Sequence, residues 1–180
     1  LEMFTRDISV EACILDLFDN SVDALIRSSN IRVSSLLLRP RDIGQNQRSA
    51  ATITLTYRSR ADEIAINDTC GGIPGDIIED DLFCFGHSDG YKPGVLGAYG
   101  VGLKRALFKL GGHFVLESKT QDSGFTVSLD VDEWAKKDDR REDWQVPVSA
   151  TKGAGRGEKP GTTITISRLR DDVKRRLKDP

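Results

Sequence analysis

Sulfur and imidazole are scarce in this chain: its 180 residues include three cysteines, two histidines and one methionine. Cys13, Cys70 and Cys84 show neither metal-ligand spacing nor an even disulfide set, which points to a reducing, cytoplasmic setting. His87 and His113 are too few and too scattered to argue for zinc. No apolar run is long enough to span a bilayer, so no membrane role is expected. No signal-peptide pattern, repeat or low-complexity tract appears. An excess of charge of one sign is missing too. The 26 basic residues face 28 acidic ones, and a net charge of −2 gives no bulk attraction for nucleic acid. Any DNA contact would have to use local basic groups at Lys104, Arg105 and Lys109, or the run Arg168, Arg170, Lys174, Arg175 and Arg176. That run reads more simply as a solvated helix end leading to another domain. With 38% apolar residues, positions 1–180 can fill one core and are expected to form one globular domain. The chain begins without methionine and ends on a charged segment, which suggests the N-terminal fragment of a longer protein.

What the chain does have is three polar, glycine-marked clusters in order. The first lies on a helix expected over residues 8–29. Ser9 suits its N-cap, and Glu11 stands in the first turn, where the helix dipole favours negative charge. Val10, Cys13, Ile14, Leu17, Phe18, Ser21 and Leu25 recur at three- and four-residue steps, giving one broad apolar face. Asp16, Asn20 and Asp23 fall at i, i+4 and i+7 and form a polar stripe on another face. Such a stripe can be the solvated side of a surface helix, or it can hold a cation. Magnesium takes oxygen ligands, a few from protein and others from phosphates. Asn20 suits the metal, and Asp16, one turn earlier, suits a base orienting water toward a terminal phosphate.

The second cluster follows a strand expected over 61–67, with Ile64 and Ile66 on one face and Asp68 at its end. A carboxylate there, followed by Gly71 and Gly72, can accept a hydrogen bond from adenine N6 and repel the carbonyl of guanine. A plain Asx or glycine turn explains the same residues equally well. In the third cluster, Gly97, Gly100 and Gly102 precede or open a helix over 101–110, with Gly111 and Gly112 in C-cap position. The free N–H groups of such a helix start suit an anion. A P-loop is excluded, because Leu103-Lys104-Arg105 follows the last glycine where Lys-Ser/Thr is needed. A dinucleotide fingerprint is excluded as well: a loop over 84–96 replaces the preceding strand, and Arg105 replaces the third glycine. That loop reads as a lid over a nucleotide or as a surface connection.

These blocks together resemble the GHKL ATPase superfamily of gyrase, the ninety-kilodalton heat-shock chaperones, histidine kinases and MutL. Residues 16–24 resemble its N-box, 68–73 its first glycine box, 97–102 its second, and 161–164 its late Gly-Thr element. The resemblance runs from about Ser9 to Leu169 in family order. Phe85-Gly86-His87-Ser88 with Gly97 to Lys104 looks most like the microrchidia-type branch and its prokaryotic, heat-shock-ninety-like relatives. No phosphoacceptor helix is present to suggest a sensor kinase. The resemblance implies a Bergerat fold, an α/β (α+β) two-layer sandwich whose mixed, mostly antiparallel sheet is covered on one face by helices, binding ATP with Mg²⁺. By position, Asn20 would ligate Mg²⁺, Asp16 would serve catalysis, Asp68 would bind the adenine amine and Thr162 would support that contact. Asp23, Ala24, Gly72 and Ile73 would belong to the pocket, with Ala24 and Ile73 against the base. Gly97, Tyr99, Gly100, Val101, Gly102, Leu103 and Lys104 would wrap the phosphates.

Two departures stand out. Hydrolysing branches carry glutamate where this chain has Asp16; one methylene less shortens the reach by about 1.5 Å, and misplacement of about 1 Å can cost on the order of a hundredfold in rate. Cys70 stands at the third position of the first glycine box, a residue tolerated where no positive φ is needed. The resemblance therefore implies an ATPase module of a larger cytoplasmic machine, exchanging ATP for ADP. Nucleotide would close a lid and bring two subunits together through domains missing here. Isolated, it would hydrolyse slowly or not at all, since a following domain supplies a lysine in gyrase- and MutL-like relatives. The alternatives are a nucleotide-sensing switch without hydrolysis and a DNA-associated scaffold of the microrchidia or MutL kind. Further strands are expected over 114–116, 125–131 and 162–167, a charged connection over 134–143 and a loop over 151–160.

Overall fold

The computed structural model describes Thr5 and residues 7–29, 51–74, 101–136 and 146–178. Helix α1 spans Val10–Ser29, and the Ser9 hydroxyl caps it by accepting from the Ala12 amide at 3.1 Å. Strands β1 (Ile53–Arg58) and β2 (Glu63–Asp68) follow. After them come helix α2 (Val101–Leu110), strands β3 (Gly111–Lys119) and β4 (Ser123–Asp130), and the short helix α3 (Val131–Ala135). Strands β5 (Val148–Lys152) and β6 (Gly161–Leu169) and helix α4 (Asp171–Lys178) complete the described elements. The six strands form one sheet in the order β1-β2-β6-β3-β4-β5, and every described pairing is antiparallel.

The period-2 alternation explains the layers. Ile64 and Ile66, Phe114 and Leu116, Val127 and Leu129, and Ile164 and Ile166 are buried, and register places Ile164 beside both Ile66 and Leu116. This row meets Leu17 of α1 and Leu103, Leu107 and Leu110 of α2 in one core. The intervening residues, such as Thr163, Thr165, Thr126 and Glu117, take the other face and remain at least partly exposed. The result is an α+β architecture with the helices on one face of an antiparallel sheet, as the sequence led us to expect.

Four local expectations are corrected or refined. Gly111 and Gly112 do not cap α2 in the left-handed region; they begin β3 directly. Gly111 is small because a Cβ there would come within 2.6 Å of Ile166 Cγ2 and the Ser167 carbonyl. Close strand approach, not backbone freedom, demands it. The stretch from Trp134 is not simply a charged connection: Trp134 is buried in α3 and stacks on Phe108 at 5.3 Å between ring centroids. Asp130 caps α3 by accepting from the amides of Asp132 and Glu133. Thr151 and Lys152 are the end of β5 rather than loop. The C-terminal basic run does form a helix, but not a freely solvated one. Val173 is fully buried, Lys109 pairs with Asp172 at 2.8 Å, and Arg176 pairs with Glu11 of α1.

Candidate functional site

At one end of the sheet, the core-facing row turns from apolar to polar in three adjacent strands. Ile64 and Ile66 are followed by Asp68 on β2; Phe114 and Leu116 by Ser118 on β3; and Ile166 and Ile164 are preceded by Thr162 on β6. All three polar residues are buried. Buried polar groups require partners, and these supply one another. The amides of Cys70 and Thr162 donate to Asp68 Oδ1 at 2.9 and 3.2 Å. The Ser21 hydroxyl on α1 donates to Asp68 Oδ2 at 2.8 Å, so helix and sheet are joined at this carboxylate. Ser118 Oγ accepts from the Ile73 amide at 2.8 Å and lies 2.8 Å from Thr162 Oγ1.

The turn after Asp68 is shaped by close approaches. Gly71 and Gly72 have φ of +103° and +74°, a region that L side chains rarely adopt. A Cβ on Gly72 would collide with the Lys119 carbonyl. Cys70 does not have positive φ, so a side chain there carries no left-handed strain. Its carbonyl accepts from the Ser28 hydroxyl at 2.9 Å, a second tie to α1. Ala24 and Ile73 are both buried.

Farther toward the start of α1, Asp16 packs against the first turn of α2. A Cβ on Gly102 would stand 3.3–3.6 Å from Asp16 Cγ, Oδ2 and Cβ. One turn on, the Asn20 amide nitrogen donates to the Asp16 carbonyl at 2.5 Å. That bond fixes the amide orientation, and among the described residues the Asn20 oxygen, a hard donor suited to magnesium, has no hydrogen bond. Asp16 and Asn20 are half-buried and Asp23 is buried, so the stripe is not a solvated face. Asp23 also opposes the effect of burial on Arg27, four residues on, whose pKa is lowered by desolvation. Gly102, Leu103 and Lys104 stand in the first turn of α2, where amides lack intrahelical acceptors. The Leu103 side chain is in the core, and Lys104 is buried. Gly97, Tyr99, Gly100 and the 84–96 loop lie outside the described residues, as does the side chain of Val101.

The two key carboxylates are electrostatically alike. Burial raises the Asp68 pKa above the ordinary aspartate value, against the donors from Cys70, Ser21 and Thr162. Burial likewise raises Asp16, helped by the neighbouring charge of Asp19 and opposed by Arg105. Among the described residues no salt bridge to either carboxylate is seen, and the Arg105 charge only partly offsets the rise at Asp16. A separate depression of about 440 Å³, lined by Glu117, Lys119, Lys152 and Glu158 among others, shares no residue with the Asp68 network.

Residues 8–152 match the sequence profile of the family described as histidine kinase-, DNA gyrase B-, and HSP90-like ATPase. The chain belongs to this family. No curated protein matches it. Membership in this GHKL-type family supports an ATP-binding domain of the ATPase type, and the α1–β2 junction is its candidate site. Two of its residues escape sequence reasoning. Ser21 reads as part of an apolar helix face, and Ser118 lies beyond the strand expected over 114–116. Parity is the available signal: Ser118 shares its face with Phe114 and Leu116, so its hydroxyl had to be buried.

Proposed function

We propose that this chain binds ATP with magnesium between α1, the Asp68 turn and the start of α2. The observation that carries this reading is the buried Asp68 carboxylate, which accepts from α1, the glycine turn and β6. Asp68 would accept from the adenine amine and disfavour guanine, with Ala24 and Ile73 against the ring. Asn20 would supply an oxygen to magnesium, whose chemistry when bound is to neutralise phosphate charge. The first-turn amides of α2 would hold phosphate oxygens, with Gly97, Tyr99, Gly100 and Val101 in the same role. Asp16 would hold an attacking water and take its proton, at a rate limited by its short reach. The microrchidia-like features of residues 85–104 favour that branch of the family. Closure of the 84–96 segment and nucleotide-dependent pairing of two subunits in a larger cytoplasmic machine belong to the same reading.

Titration calorimetry with a non-hydrolysable ATP analogue, with and without Mg²⁺, tests the site. Wild-type chain should bind in a magnesium-dependent way, and Asn20→Ala should lose most of that dependence while keeping its fold. Binding indifferent to magnesium in both proteins would remove the metal assignment.

A further inference from the structure

We propose that Ser118 is a positioning residue that turns the Thr162 hydroxyl into a hydrogen-bond donor for the base; this rests on the nucleotide reading above. The argument is one of proton count. An amide N–H can only donate, so the Ile73 amide, 2.8 Å away, obliges Ser118 Oγ to accept. Ser118 has one proton of its own and two nearby acceptors, Thr162 Oγ1 at 2.8 Å and the Gly161 carbonyl at 3.4 Å. The shorter contact takes it. Thr162 Oγ1 then accepts from Ser118, and its own proton is left to donate elsewhere.

That proton lies beside Asp68, because the Thr162 amide is bonded to Asp68 Oδ1. Cross-strand register fixes the arrangement: Ser118 is directly opposite Thr162 in the β3–β6 pairing. The pocket therefore presents an acceptor, the Asp68 carboxylate, next to a donor, the Thr162 hydroxyl. Its complement is an amine next to an unprotonated ring nitrogen, the edge that a 6-aminopurine offers. A 6-oxopurine offers the reverse, an acceptor next to an N–H, and meets a mismatch at both points. Ser118 touches no ligand in this account; it sets the direction of the chain Ile73 to Ser118 to Thr162.

The test is a double-mutant cycle on base discrimination. Affinities for non-hydrolysable ATP and GTP analogues, each with Mg²⁺, are measured for wild type, Ser118→Ala, Thr162→Val and the double variant. Ser118→Ala should lower the adenine-over-guanine ratio about three- to tenfold, the usual worth of one neutral hydrogen bond. Thr162→Ser, which keeps the hydroxyl, should retain the ratio. The double variant should match Thr162→Val alone, because Ser118 acts only through that hydroxyl. Where Ser118→Ala does not fold, Ser118→Cys, with its weaker donor, replaces it in the cycle and should lower the ratio in the same direction. A ratio unchanged by the Ser118 variant, or effects that simply add, would overturn this inference alone. Failure of the folded wild-type chain to bind the adenine analogue would overturn the nucleotide reading and this inference with it.

Discussion

The two ends of the sheet solve the problem of polar groups in opposite ways. At the end where Asp68, Thr162 and Ser118 meet, one carboxylate is buried and held by hydroxyls and backbone amides. At the other end, ion pairs dominate. Arg168 meets Asp130 at 2.8 Å, Arg170 meets Asp132 at 2.7 Å, and Lys174 lies between Asp62 and Asp171. The electrostatic consequences diverge. Burial raises the Asp68 pKa, whereas the Arg168 guanidinium holds Asp130 down at about 2, and Arg176 does the same to Glu11. Among the described residues no cation pairs with the first carboxylate, which would leave it open to a ligand's donor. The second is committed to surface pairing, which solvent screens and which stabilises little.

The largest effect should come from breaking the geometry of the quiet end. Gly72→Ala forces a side chain into left-handed backbone and onto the Lys119 carbonyl. The backbone strain alone should cost about 1–3 kcal/mol, and thermal unfolding should show a correspondingly lower midpoint. Next comes catalysis. Phosphate release by the wild-type chain should stay below roughly 1 s⁻¹. Asp16→Glu should raise it, by up to about a hundredfold if reach is what limits it. No increase with intact nucleotide binding would favour a switch that does not hydrolyse.

Acid should separate the two ends. Asp68 has a raised folded-state pKa, so its protonation favours the fold, and that contribution fades as pH rises through the folded value. Asp130 and Glu11 contribute above the ordinary carboxylate pKa, and their contribution fades only as pH falls toward about 2. On acidification, adenine-nucleotide affinity should therefore fall while circular dichroism still reports a folded chain. Coincident loss of both would contradict the contrast. The smallest effect belongs to Arg168→Gly. It removes the pair with Asp130 but relieves a non-glycine residue held at φ +53°. The melting temperature should hardly move, whereas a large drop would mean that the ion-pair end carries more of the stability than its exposure implies.

Periodicity made most of the framework legible. The apolar steps of α1 and the alternation at Ile64 and Ile66 appear in the structure where the spacing puts them. Strand β1 is harder to find because nothing announces its turn. Ser59–Ala61 form a single 3₁₀ turn, and Asp62, not glycine, takes the left-handed position before β2. Trp134 is masked by the surrounding acids and lysines, although its ring is what fixes α3 on Phe108. In the proposed site, Asp16, Asn20 and Asp68 stand out because their residue types announce chemistry. Ser21 and Ser118 do not, since a serine on an apolar face means something only once its partner is known. Those partners are Asp68, 47 residues away in sequence, and Thr162, 44 away. Long-range pairing of that kind leaves no local trace.

The most direct test of the central claim is calorimetry of Asp68→Asn beside the wild-type chain, using the non-hydrolysable ATP analogue with Mg²⁺. Asparagine can keep the amide contacts to Oδ1 while losing the charge, so the fold should survive. Affinity should fall about ten- to a hundredfold, as expected for a hydrogen bond to a charged acceptor. Equal affinity in the two folded proteins would contradict the account, because the buried carboxylate would then play no part in reading the nucleotide.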